Sequence, residues 1–219
     1  MESLVYLSDA AFLSILASSI ESYPSKYGGK REVGSPFFKL RFRFPEGEVF
    51  GLLFGQRVLK NNLIVHTVQF TIPMHVLEIK TPTSVEPSSR HYERIREVLE
   101  AYPMIQYLGT YHSHPYHKSD YKRKTSASLS EDDINSALDE AKELREDILE
   151  MVIGLTRLDK TIRIDPKIGP FFLESYCGTY KYTLSAYSTR IEENTVKPVT
   201  HLICPLASGF SNRHLDLDL

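Results

Sequence analysis

Apolar and polar residues along this chain repeat with two periods, one helical and one alternating, and the switches between them outline interleaved helices and strands. From Ser8 to Ser22, Phe12, Ile15, Leu16 and Ile20 recur at helical spacing behind Ser8 and Asp9, which predicts an amphipathic helix packed on a sheet. Tyr23 to Lys30 is rich in breakers and reads as loop. Phe37 to Phe44 alternates apolar and basic residues, as a strand with one wet face does, and Pro45-Glu46-Gly47 turns the chain. Glu48 to Gly55 is a nearly continuous apolar run entered by one carboxylate, the pattern of a strand buried on both faces. Asn61-Asn62 marks a hairpin turn into a strand from Leu63 to Ile72 that ends at Pro73.

Ser84 to Arg90 is Pro/Ser-rich and is expected to be a mobile connection, after which Tyr92, Ile95, Val98 and Leu99 predict a helix from His91 to Tyr102. Ile105 to His112 reads as a strand, and Pro115, which has no backbone N–H, is expected to end it. Tyr116 to Ser128 is polar and basic with no apolar period, hence a loop. A helix starts at Ser130, with Ile134, Ala137, Leu138, Ala141, Leu144 and Ile148 on one face. Met151 to Arg157 and Thr161 to Ile164 read as a hairpin around Asp159-Lys160, followed by strands at Phe171 to Cys177 and Tyr180 to Tyr187. The tail beyond Glu192 has one apolar patch, Val199 to Ile203. There is no internal repeat and no strict βαβ alternation, so the expected class is mixed α/β (α+β), a central mixed sheet flanked by helices. One domain over 1–219 is expected, with its core at about 8–190 and a peripheral tail at 191–219.

Composition narrows the chemistry. Forty-two per cent apolar and 25% charged residues describe an ordinary globular chain, and a net charge of -2 argues against a general nucleic-acid binder. Cys177 and Cys204 are the only cysteines, too few for a disulfide framework or a cysteine-rich zinc cluster. No run approaches the length of a membrane span, and the apolar stretch at Ala10 to Ile20 lacks the positive flank of a signal peptide, so a cytoplasmic location and no membrane partner are expected. A metal here must use His, Asp or Glu.

Gly109 to Pro115 (GTYHSHP) supplies the first candidates. On a strand, residues i and i+2 share a face, so His112 and His114 present both imidazoles to one ion with Ser113 turned away. A catalytic metal site needs a third protein ligand, and Asp133, in the first turn of the helix that opens at Ser130, is the choice. The same Ser130-x-x-Asp133 spacing also makes a capping box with no metal involved. Glu48 is open to two readings as well: the polar end of a strand, or a base that takes a proton from water beside the metal.

Taken together, Glu48 with Gly51, Leu53 and Gly55 (E-x-x-G-x-L-x-G), then His112-Ser113-His114-Pro115, then Ser130-x-x-Asp133, resemble the JAMM motif of MPN-domain (JAB1/MPN/Mov34) metalloproteases. The resemblance covers about Ser8 to Arg157. It implies an MPN/JAB-like fold and a zinc ion held by His112, His114 and Asp133, with water in the open position. It further implies that Glu48 moves the proton, that Ser130 helps hold the tetrahedral oxyanion, and that a bond after the C-terminus of ubiquitin or a ubiquitin-like protein is cut. Two other activities fit the resemblance: action on a sulfur-carrier-protein conjugate, and a non-catalytic MPN scaffold subunit. Known scaffolds generally lack some ligands, whereas here the set is complete. One departure stands out: eighteen residues separate His114 from Asp133, more than is usual in that family. The extra residues fall in the Tyr116–Ser128 loop, where Lys118, Lys122, Arg123 and Lys124 are candidates for binding an acidic substrate surface, or the loop is a neutral insertion.

Overall fold

A computed structural model describes residues 2–25, 27, 46–75, 77–81, 83, 85–120 and 126–208. Its first half holds β1 (Glu2–Leu7), α1 (Asp9–Glu21), β2 (Phe50–Lys60), β3 (Leu63–Pro73), β4 (Leu77–Lys80), β5 (Val85–Pro87) and α2 (Ser89–Glu100). Its second half holds β6 (Gln106–Tyr116), a 3-10 turn at Lys118–Asp120, α3 (Glu131–Leu144), β7 (Leu149–Arg157) and β8 (Lys167–Ile168). β9 (Phe172–Cys177), β10 (Tyr180–Arg190), β11 (Thr195–Pro198) and β12 (His201–Ile203) complete it. The strand expected at Phe37 to Phe44 lies outside the described residues.

Ten strands form one mixed sheet in the order β12-β1-β3-β2-β6-β7-β10-β9-β8, with β11 also paired to β10. β6 and β7 run parallel in its middle, and β2 is antiparallel to β6. The sheet curls back on itself. The segment from β11 to β12 pairs with β10 at one end and with β1 at the other, so it links the two sides. The expected peripheral tail is therefore corrected for residues 191–208: Val199, Leu202, Cys204 and Ala207 are buried in the core.

Two bulges bend the sheet on either side of Phe54. Gln69 is the extra residue on β3 and Leu108 the extra residue on β6. Glycines make both possible. A Cβ on Gly55 would meet the Thr67 carbonyl oxygen at 1.8 Å, and Gly109 has φ +138° with the Leu149 carbonyl where a Cβ would go. The bulged Gln69 carbonyl is not orphaned, because the hydroxyl of Ser8, the N-cap of α1, donates to it at 2.7 Å. Helix and bulge hold each other.

β2 is buried on both faces, as its apolar run predicts. Leu53 joins the core under α1 with Phe12, Ile15 and Leu16, while Leu52 and Phe54 join Met74 and the α2 residues Tyr92, Ile95 and Leu99. Gly51 faces Tyr111, whose ring occupies the space a side chain would fill and whose hydroxyl lies 3.2 Å from Ser18 Oγ. The ordered strand begins only at Phe50, so Glu48 precedes it rather than starting it.

Several local expectations change because pairing decides strands. β6 continues through Pro115 to Tyr116, since Ser113 N–H points toward Val49 on the β2 side and Pro115, two residues on, faces that same side beyond the β2 pairing. β7 is already paired on both edges by β6 and β10, which leaves no ladder for Thr161 to Ile164; those residues are not in a strand. Part of the Ser84 to Arg90 segment is β5, paired to β4. α3 stops at Leu144 because Arg145 takes the left-handed conformation at φ 57°, so Ile148 lies in the connection to β7. No helix among the described residues is long and apolar enough to cross a membrane.

His66 on β3 is fully buried, and neither ring nitrogen has a hydrogen-bond partner among the described residues. Burial first, then Arg57 and Arg190, lower its pKa from 6.5 to about 3. Between those values the unfolded chain binds a proton that the folded chain refuses, so stability is lost as pH falls below about 6.5. Each pH unit in that window removes about 1.4 kcal/mol. Urea unfolding at about pH 7 and about pH 5 should show His66→Leu losing roughly 2 kcal/mol less than the parent chain. Equal losses would mean that another group sets the acid sensitivity.

Candidate metal centre

The strand–loop–helix unit from β6 to α3 brings the three expected ligands together. Residues 110, 112 and 114 share one face of β6 by strand alternation, and there His112 Nε2 and His114 Nε2 stand 3.1 Å apart. Asp133 Oδ2 lies 3.5 Å from the first and 3.9 Å from the second. Donors at about 2.0–2.1 Å around a tetrahedral zinc are separated by about 3.3 Å, so the trio fits a divalent ion with little rearrangement. One ligand atom from each residue lies within 4.8 Å of the others, and His112 is only 5% exposed.

The Ser130–Asp133 pair forms the capping box, and that geometry leaves the Asp133 carboxylate facing the histidines. Ser130 caps α3: its Oγ accepts from Asp133 N–H at 3.1 Å, while Ser130 N–H and Oγ–H both donate to Asp133 Oδ2 at 2.7 Å. The capping box thus fixes the carboxylate that faces the histidines. In this geometry the Ser130 hydroxyl proton is engaged by Asp133, so donation to a substrate oxygen requires the hydroxyl to turn.

Ser113 points away from the metal face, as expected, and what it does there is informative. Its Oγ accepts from Val49 N–H at 2.8 Å and its own N–H donates to Val49 O at 2.9 Å. This clip ties the residue after Glu48 to the histidine strand. Glu48 N–H donates to Thr81 O, which fixes the other side. Glu48, 7% exposed, lines the same cleft as the trio.

The cleft, about 880 Å³, runs from the trio between α2 and α3 over a floor of Phe50, Thr110 and Glu150. Its far end carries Tyr92, Arg96 and Glu140; the hydroxyls of Tyr92 and of Tyr107 behind it both donate to Glu140, with Arg96 over the two rings. Asp132, Asp139 and Glu143 add acidic groups from α3.

Acidic groups outnumber basic ones at the site. Burial raises Glu48 to about 7, with Asp133 adding to the rise and His112 opposing it. Burial alone would lower His112, but Asp133, Glu150 and Glu48 overcome it and hold this imidazole above its ordinary pKa. Burial raises the Asp133 carboxyl, and hydrogen bonding and charge from His112, with Ser130, outweigh that and hold it well below the usual range. His114 falls to about 4, through burial and then the neighbouring His112. Burial likewise raises Glu150 to about 7, against the lowering effects of His112 and Thr110. Three carboxyl groups gathered around His112 are an electrostatic setting that a cation would complete.

Of the basic-loop candidates, only Lys118 lies among the described residues. Lys118 pairs with Asp159 and is not part of the cleft lining, and Lys122, Arg123 and Lys124 lie outside the described residues. His117 bonds Ser119, away from the trio. The residue that sequence reasoning missed is Glu150, buried behind His112. Its only sequence signal was a carboxylate inside the apolar run of β7.

No protein-family model matches the chain, and no curated protein matches it. The functional reading therefore stands on the residues and their geometry.

Zinc or cobalt titration should stabilise the protein by about 2.7 kcal/mol once free metal exceeds Kd about 100-fold, a rise of roughly 5–10 °C in melting temperature. His114→Ala and Asp133→Asn should abolish that rise. A rise that survives in both variants would place the metal elsewhere.

Proposed function

We propose that this chain is a zinc-dependent hydrolase of the MPN-domain (JAMM) class, cutting the peptide or isopeptide bond that follows the C-terminus of ubiquitin or a ubiquitin-like protein. The observation that carries the reading is the convergence of His112, His114 and Asp133 on one point, with Glu48 in the same cleft and the motif's order intact. A mixed sheet with one helix ahead of β2, the strand that follows Glu48, and another carrying Asp133 is consistent with an MPN/JAB-like architecture.

Held by the trio, zinc supplies a Lewis acid that polarises a carbonyl and makes water acidic near neutral pH. Glu48 moves the proton. Its carboxylate takes it from the water that adds to the carbonyl carbon and delivers it to the amine as the C–N bond breaks. One water is consumed, and a carboxylate and an amine leave. The Ser113–Val49 clip sets the distance between Glu48 and the histidines, and Ser130 sets Asp133. An extended substrate tail has the β4–β5 hairpin to lie against, where Thr83 and Val85 border the cleft.

The decisive experiment incubates a panel of ubiquitin-like conjugates and precursors, and of sulfur-carrier conjugates, with the protein, with and without chelator, and reads the products by mass. Cleavage that stops on chelation and returns with zinc supports the reading. Glu48→Gln should retain zinc while kcat falls about 10²–10⁴-fold. Full activity in that variant would remove Glu48 as the proton carrier, and a zinc-loaded parent chain inert on every substrate would favour a scaffold role.

A further inference from the structure

Glu150 takes no part in the reaction described above, yet it sits where the site is most sensitive. It lies on β7, 5% exposed, in register with Thr110 of the neighbouring parallel strand. Thr110 Oγ1–H donates to its Oε1 at 2.5 Å, which orients the carboxylate. Its Oε2 is 3.9 Å from His112 Nδ1, on the side of the ring opposite the Nε2 that faces Asp133 and His114.

The two ends of this imidazole therefore face different things. A histidine ligates a metal through the nitrogen that carries no proton, so ligation through Nε2 places the proton on Nδ1. A buried N–H needs an acceptor, and a carboxylate there both fixes the ring and strengthens the opposite nitrogen as a donor. A buried carboxylate likewise needs more than one hydroxyl to offset its lost hydration. Each group answers the need of the other.

We propose that Glu150 is a positioning residue for the metal centre: it accepts the Nδ1–H of His112, holding the tautomer and orientation in which Nε2 ligates. The contact closes from 3.9 Å to hydrogen-bond length when the ion is held. Thr110 is the anchor that keeps the carboxylate aimed. The proposal rests on the reading of His112, His114 and Asp133 as a metal site.

The test is zinc affinity, measured by competition with a chromophoric chelator on the full chain, together with the histidine ¹⁵N spectrum of the zinc-loaded protein. Glu150→Gln keeps the size of the side chain and an oxygen for Thr110 but removes the charge. It should weaken zinc binding by about 10–100-fold while leaving the melting temperature of the metal-free protein near that of the parent. In the parent, the spectrum should show His112 protonated at Nδ1 and ligated through Nε2. Equal zinc affinity in parent and Glu150→Gln, or ligation through Nδ1, would overturn the role of Glu150 while leaving the metal site standing. A parent chain that binds no zinc would overturn both. Should Glu150→Gln fail to fold, Glu150→Asp, which keeps the charge but withdraws it by one methylene, must weaken binding several-fold; unchanged affinity there also overturns the proposal.

Discussion

Buried charge around a single strand is the constraint on which this structure turns. Asp133 stands in front of His112, Glu150 behind it, and Glu48 on the same cleft wall, with His112 and Glu150 nearly inaccessible to water. Charges in such a place are costly unless each is opposed. Local partners offset part of that cost: the Ser130 cap for Asp133 and the Thr110 hydroxyl for Glu150. A divalent ion at His112, His114 and Asp133 would offset more of it. The features that make the site electrostatically uncomfortable are those that suit it to a metal ion.

Holding these groups in place is the work of the sheet. β6 has neighbours on both sides, β2 antiparallel and β7 parallel, so the two histidines cannot shift register without moving three strands. The bulges beside Phe54 bend the sheet, and the β11–β12 segment links β10 to β1. Donors on such elements keep their spacing more faithfully than donors on loops. Asp133 is the exception in origin, since it arrives on a helix after a long connection. The capping box repairs that by making the Asp133 carboxylate part of the helix start.

Much of the architecture was legible locally. The 3.6-residue period of Phe12, Ile15 and Leu16 marks α1, Asn61-Asn62 marks the β2–β3 turn, and both asparagines have positive φ. Strands whose existence depends on a distant partner were not legible. β1, β11 and β12 are short and draw their status from one another and from β3 and β10, far apart in the chain. Thr161 to Ile164 alternates as a strand does, yet β7 had no free edge to offer it. Pro115 belongs to a strand because its missing N–H points beyond the β2 pairing, a fact of tertiary position.

The amino-acid sequence by itself determined which groups are available for chemistry and in what order. His112 and His114 must share a face because a strand alternates, and Asp133 must start a helix because Ser130 can cap it. Those rules act over a few residues and need no fold. Only the tertiary structure decided that Asp133 comes within 3.5 Å of His112 and that Ser113 clips the chain beside Glu48. It also decided that an ordinary-looking carboxylate in β7 stands behind the His112 ring. Those distances depend on cross-strand register and on where a helix lands, which are set by the packing of the whole sheet rather than by any one stretch.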